Sequence, residues 1–186
     1  DCLPACPTGA ISFVMREAAA YDEAAVLENK KQKAASAPHG CPGQRLARFA
    51  RSAPGAPAPS AASCLAQWPC QLRLVPVNAL FFDGADILVA ADCTAYAYAG
   101  MHTEFMRGRV TLIGCPKLDD ADYEKKLTAI FRENDVHTVT VVRMEVPCCG
   151  GLEHAVVRAL AGSGRRLLLT VVTVSTDGKI LNREEI

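Results

Sequence analysis

The chain has 186 residues, half of them hydrophobic, enough for one domain of about 100–150 residues and an appendage. Twenty basic and twenty acidic side chains cancel, which excludes the electrostatic footprint of a nucleic-acid binder or of a protein drawn to anionic membranes. No apolar run reaches the roughly 20 residues of a bilayer span, and the opening DCLPACPTGA has neither the basic nor the apolar region of a signal peptide, so a soluble, cytoplasmic protein is expected.

Along the chain, Thr8-Gly9 predicts a turn and Ala10 to Met15 an alternating strand, followed over 21–33 by a polar segment or short helix. Residues 34–62 turn rich in Ala, Pro, Ser and Gly. HGCPGQRLARFA predicts a turn and a short helix with Cys41 at the junction, and Ser52 to Ser63 reads as a flexible or polyproline-like linker. Residues 63–75 have mixed helical spacing interrupted by Pro69, and Pro76-Val77-Asn78 forms a turn. Three segments are thus expected: 1–33, 34–63 and 64–186.

From residue 83 the pattern becomes regular. Apolar runs at 85–93, 109–115, 136–146 and 165–175 alternate with helical patterns at 94–108, 119–135 and 151–164. The second helix carries acidic residues in its first turn, which suits the helix dipole. Apolar, non-alternating strands separated by helices predict an α/β fold, a parallel sheet of about four to five strands with helices on both faces. Strand order stays open.

Nine cysteines is a high and odd count, so complete pairing within the chain is impossible, and a chain this apolar needs no disulfide framework. Cys93 ends the first strand, Cys115 ends the second, and Cys148-Cys149 follow the third. Strand ends of a parallel sheet share one edge, with neighbours about 4.8 Å apart, and open α/β sheets bind ligands there. Packing alone does not call for cysteine at three consecutive strand ends. All-sulfur ligation suits an iron–sulfur cluster or zinc. Structural zinc sites favour close C-x2-C pairs, which do not occur here, so zinc ranks second. A disulfide between adjacent cysteines closes a strained eight-membered ring and ranks third. The helix after Gly151 points its free N–H groups at the same edge, where they favour anionic sulfur.

Cys2-Leu-Pro-Ala-Cys6-Pro7 resembles the end of the bacterial ferredoxin run C-x2-C-x2-C-x3-C-P, and the Thr-Gly-Ala-Ile that follows is similar too. The first two cysteines of that run have no counterpart, so a truncated motif, the remnant of a ferredoxin-like domain, is expected. The stretches HGCPGQR, QWPCQLRLVPVNALFF, ADILVAADCTAYAYA, GRVTLIGCPKLDD and VVRMEVPCCGGL resemble a family of ferredoxin-headed 4Fe-4S proteins from anaerobic microbes. Its role is poorly defined. The resemblance implies Cys41, Cys93, Cys115, Cys148 and Cys149 as metal-ligating motif cysteines and Cys2 and Cys6 as cofactor-binding. Cys64 and Cys70 fall outside that core and are expected to pack. Cys115, 32 residues and then Cys148-Cys149-Gly150 is also similar to the first half of the CCG domain of heterodisulfide reductases. That domain continues to a C-x2-C, and no cysteine follows Cys149, so its activity is not carried over.

His137 and His154 are expected to be structural or solvent-facing; His102 and His39 lie nearer the cysteines, though a structural role is favoured for them also. Asp92 beside Cys93 is expected to support the site or cap a helix, and Lys117 and Arg143 to balance thiolate charge. CCGGL before a helix could cradle a phosphate, but no phosphate-loop or dinucleotide signature accompanies it. The expectation is an iron–sulfur redox protein of low-potential electron transfer. It would work with redox partner proteins and, as an oxidoreductase, with a small-molecule substrate. Five motif cysteines exceed the four of a simple cubane, which leaves room for a larger cluster or a free thiol. The alternative is a zinc- or thiol-based binding module without electron transfer.

Overall fold

The structure is a computed structural model that describes residues 62–186 continuously, together with 22–24, 26, 28 and 49. The chain divides into two compact units, Asp1–His39 and Gly40–Ile186. Cys2, Cys6, His39, Cys41, the strand expected over Ala10 to Met15 and residues 52–61 of the linker lie outside the described residues. Glu23, Ala24, Val26 and Glu28 are helical, within the segment read as polar or helical.

The second unit is α/β. Its strands are β1 (Ala85–Ala91), β2 (Val110–Gly114), β3 (Val136–Met144), β4 (Leu168–Val174) and β5 (Ile180–Glu185), in the order β2-β1-β3-β4-β5. β1 pairs in parallel with β2 and β3, and β3 with β4, in registers such as Ile87↔Val110, Val89↔Val141 and Val141↔Val171. Ile87, Leu88 and Val89 are all fully buried although they point alternately to opposite faces, so both faces of the centre are covered. Fully burying such a side chain contributes about 1.5–3 kcal/mol each relative to exposure.

The helices that cover the sheet are α1 (Thr94–Ala97), α2 (Tyr123–Glu133) and α3 (Gly150–Ser163). The β1-to-β2 step runs one way along the sheet, while β2-to-β3 and β3-to-β4 run the other. Right-handed crossovers therefore place α2 and α3 together on one face and the β1–β2 connection on the opposite face. α2 and α3 do pack against each other. Asp122 caps α2 by accepting the Lys125 N–H at 2.9 Å, and Tyr123, Leu127, Ile130 and Phe131 form its buried stripe. In α3 the buried stripe is Leu152, Ala155, Val156 and Ala159, closed by Gly164 at φ 73°.

Three local expectations are corrected. The helix expected over 94–108 breaks into α1 and one wide π-type turn, Met101–Met106. Tyr98 turns extended, and its hydroxyl donates to Glu104 Oε1 at 2.5 Å. That bond folds the segment over Gly100, where a Cβ would press on both side chains. Residues 63–75 are not helical. Ile113 N–H donates to the Cys70 carbonyl and Leu72 N–H to the Ile113 carbonyl, both at 2.9 Å, so this segment covers the free edge of β2. Finally, the sheet is not wholly parallel: β5 runs antiparallel beside β4 after a turn at Gly178 with φ 89°. Among the described residues, no helix is long and apolar enough to cross a membrane.

Candidate functional site

Three turns follow the carboxyl ends of β1, β2 and β3, and the strand order sets the β1 turn between the other two. In an open sheet of this order the chain reverses direction between β1 and β3, the topological switch point where ligands bind. Cys93 lies in the β1 turn, Cys115 directly after β2, and Cys148 and Cys149 in a 3-10 turn, Pro147–Cys149, after β3.

Each turn is built by local bonds. The buried Thr94 hydroxyl donates to the Ala91 carbonyl at 2.7 Å, and the Cys93 carbonyl accepts the Ala97 N–H at 3.0 Å. The Cys115 carbonyl accepts the N–H groups of Leu118 and Asp119 at 3.1 and 2.9 Å. Pro147 opens the third turn, the Cys149 N–H donates to Val146 at 3.1 Å, and α3 begins at once with Gly150 and Gly151. The α3 dipole thus points its positive end at the doublet. Glu153 in its first turn is paired with Arg143 of β3, Nε to Oε2 at 2.5 Å, so the charge of Arg143 is already partnered.

Cys93 is exposed, Cys115 and Cys148 half-buried, and Cys149 buried. Cys93 is the most open of the four, yet its partial burial is the largest cause raising its thiol above the usual range, followed by Cys115, Asp92 and Cys148. Burial pushes the Cys149 thiol up to about 11; a backbone hydrogen bond at Met144 pulls down, while Cys148 and Cys93 push up. Cys93 thus shares one electrostatic neighbourhood with Cys115, Cys148 and Cys149. No cationic side chain is among the causes acting on Cys93 or Cys149. Among the described residues, no three His, Cys, Asp or Glu side chains already stand in the arrangement that holds a metal ion.

A carboxylate and a phenol back this edge, and neither Asp119 nor Tyr123 was singled out as a site residue by the sequence reading. The Tyr123 hydroxyl donates to Asp119 Oδ2. Its phenol is held well above the usual range, first by burial and then by Asp119. Asp92 does not cap α1; its carboxyl is raised by burial and by Asp119, and its Oδ1 is buried without a protein partner. Asp119 looked like one more acid of a helix start, and no spacing rule distinguishes it from Asp120.

The other singled-out residues fall elsewhere. Cys70 is buried and Cys64 packs against the core, as expected. His102 Nδ1 accepts the Cys64 N–H at 3.1 Å, a structural bond. His154 is exposed, and His137 stands 4.0 Å from Asp135 at the opposite end of β3. Lys117 is exposed.

Fold and edge together define a doubly wound α/β domain whose switch-point edge carries cysteines in three adjacent turns. Residues 79–186 match the Rossmann-like domain family model, and the chain belongs to that family. An uncharacterised protein of Archaeoglobus fulgidus is 35% identical over 115 residues, which cover 61% of this chain and 81% of that protein. No solved structure matches the chain significantly. The glycine-rich turn that carries dinucleotide phosphates in many such folds has no counterpart, since the β1 turn is Asp92-Cys93-Thr94.

Proposed function

We propose that the protein is an iron–sulfur protein of low-potential electron transfer. Its cluster is held at the switch edge by Cys93, Cys115, Cys148 and Cys149, with Cys41 as a further or alternative ligand. One observation carries the reading: the turns after β2, β1 and β3, adjacent in the sheet, each present cysteine at that edge. Four soft thiolate donors suit iron–sulfur ligation. The resemblance of the VPCCGG and ferredoxin-like stretches points the same way, with Cys2 and Cys6 as cofactor-binding residues of an electron-relaying segment.

When bound, the cluster supplies a one-electron carrier. The chain's own part is to hold it and shield its charge. The positive end of the α3 dipole lies at the doublet, which directly precedes the helix, and the Arg143–Glu153 pair joins β3 to its first turn. Tyr96 and Leu118, both strongly exposed, flank Cys93 and Cys115 and offer apolar surface to a redox partner protein. A spare thiol or open iron would make the edge a small-substrate reductase site. The six described cysteines are free thiols, which suits the reducing cytoplasm proposed as its compartment.

The test is anaerobic purification of the full chain, with iron, acid-labile sulfide and zinc counted and the EPR spectrum recorded. Brown protein with iron and sulfide in comparable amounts is expected, and Cys148→Ala and Cys149→Ala should lower the iron content or change the EPR signal. A colourless preparation carrying one zinc per chain would overturn the proposal in favour of a zinc module. Unchanged iron and EPR in both variants would refute the placement at the doublet.

A further inference from the structure

A cavity of about 490 Å³ lies between the β1–β2 half of the sheet and the Thr94–Met106 connection. That volume falls within the roughly 300–1,000 Å³ of small-molecule sites. Its wall is largely apolar, with Ala90 from β1, Ile113 from β2, and Met101 and Met106 from the π-type turn.

Two polar atoms of the same wall have no protein partner. Thr111, on β2, is 1% exposed, yet its Oγ1 makes no hydrogen bond, and neither does Asp92 Oδ1. Two nearby polar side chains, Gln67 and His102, are engaged. The Thr111 backbone is held at both ends by Gln67, whose Nε2 donates to the carbonyl at 2.5 Å and whose Oε1 accepts the N–H at 3.3 Å. His102 is tied to the Cys64 backbone. Buried polar side chains in folded proteins nearly always find a partner, and an orphan hydroxyl in a residue of the cavity wall calls for one. A threonine hydroxyl donates and accepts, whereas an ionised carboxylate only accepts.

We propose that this cavity binds a compact, mainly apolar molecule with one hydroxyl or amine end. The polar end sits at Thr111 Oγ1 and Asp92 Oδ1, and the apolar body lies against Ala90, Met101 and Met106. Asp92 adjoins Cys93, so the polar end of the ligand lies next to the thiol edge. The proposal stands on the cavity and its orphan hydroxyl, and it holds whether or not the thiols carry iron.

The test uses the full chain, as purified anaerobically and labelled with ¹³C in its methionine methyl groups. Two probes are titrated, benzyl alcohol and its apolar counterpart toluene, and iron is counted on the same sample so that the two proposals fail separately. Both probes should shift the Met101 and Met106 methyl signals to saturation and leave Met144, on β3, in place. Thr111→Val, which keeps the β-branched shape, should weaken benzyl alcohol about three- to tenfold and leave toluene unchanged. Ala95→Phe, at the rim, should abolish both responses without altering the sheet. Absence of any saturable shift at Met101 and Met106 overturns the site. Equal weakening of both probes in Thr111→Val, or none, overturns the assigned ligand class.

Discussion

Gly151, in the first turn of α3, faces the ring of Pro116 from the turn after β2; a Cβ on Gly151 would stand 3.3 Å from the Pro116 Cβ. Because β1 lies between β2 and β3, this contact closes over the end of β1 and sets the spacing of the Cys115 turn against the Cys148-Cys149 turn. Gly150, its neighbour, has open space where a Cβ would go. The pair gives a differential prediction. Alanine is a better helix former than glycine by about 1 kcal/mol, so Gly150→Ala should raise stability by up to that amount in urea melts and keep the iron content. In Gly151→Ala the same gain is offset by crowding against a rigid proline ring. Stability should stay within about 1 kcal/mol of wild type while the iron-to-protein ratio falls. A wild-type ratio in Gly151→Ala would show that this contact does not govern the site.

Gly114, the last residue of β2, sits directly under the Tyr123 ring: a Cβ there would come within 2.5 Å of the hydroxyl and 2.8 Å of Cζ. Tyr123 is buried and bonded to Asp119, so it cannot swing aside cheaply. Gly114→Ala should cost about 1–3 kcal/mol of stability by overpacking. Tyr123→Phe should cost about 1 kcal/mol through the lost hydrogen bond. The double variant should lose less stability than the sum of the two losses, because removing the hydroxyl relieves the closest approach though not the contact with Cζ. Strictly additive losses in denaturant melts would contradict the clash.

The strand–helix alternation from β1 to β4, and the fall of Cys93, Cys115 and the doublet at strand ends, were legible because continuous β-branched runs bounded by turn residues have few other readings. Three features were not. The order β2-β1-β3 depends on which face each crossover takes, and no local pattern encodes that. The break of the expected 94–108 helix comes from the Tyr98–Glu104 bond across Gly100, a contact between side chains that helical spacing does not foresee. β5 escaped because every residue of Ile180–Glu185 is exposed, so it lacks both an apolar run and an alternation. Its one available signal was the Asp177-Gly178 turn after an apolar strand, a hairpin marker. At the site, the cysteines announced themselves by residue type, whereas Thr111 is one of many strand threonines, and only its missing partner sets it apart.

Arg143 and Glu153 form a half-buried pair that joins β3 to the first turn of α3 beside the doublet. Arg143→Met leaves the Glu153 carboxylate without its partner in the helical turn that follows the doublet. The expected loss is about 1–3 kcal/mol of stability, with a lower reduction potential for any bound cluster, since added negative charge disfavours the reduced state. Arg143→Met combined with Glu153→Leu removes both charges and should recover most of the loss. Equal potentials in wild type and Arg143→Met, measured by EPR-monitored redox titration, would show that the pair does not act on the edge.

The β4–β5 turn reaches back to the site. Gly178 holds φ 89°, and a Cβ on it would run into the Ala97 carbonyl oxygen at the end of α1, the helix that follows Cys93. Alanine is therefore refused twice, by the left-handed backbone, at roughly 1–2 kcal/mol, and by a backbone atom that a rotamer change cannot move. The turn is otherwise well bonded: the Ser175 N–H donates to the Lys179 carbonyl at 2.8 Å, and the Lys179 N–H donates to the Ser175 hydroxyl at 2.9 Å. Gly178→Ala should therefore leave β1 to β4 folded but loosen the hairpin. Hydrogen exchange should speed up at Ile180–Glu185, which is already exposed on every side chain, and at Thr94–Ala97, while the amides of β1 and β3 stay protected. Faster exchange confined to β5 would mean that the turn does not brace the Cys93 segment.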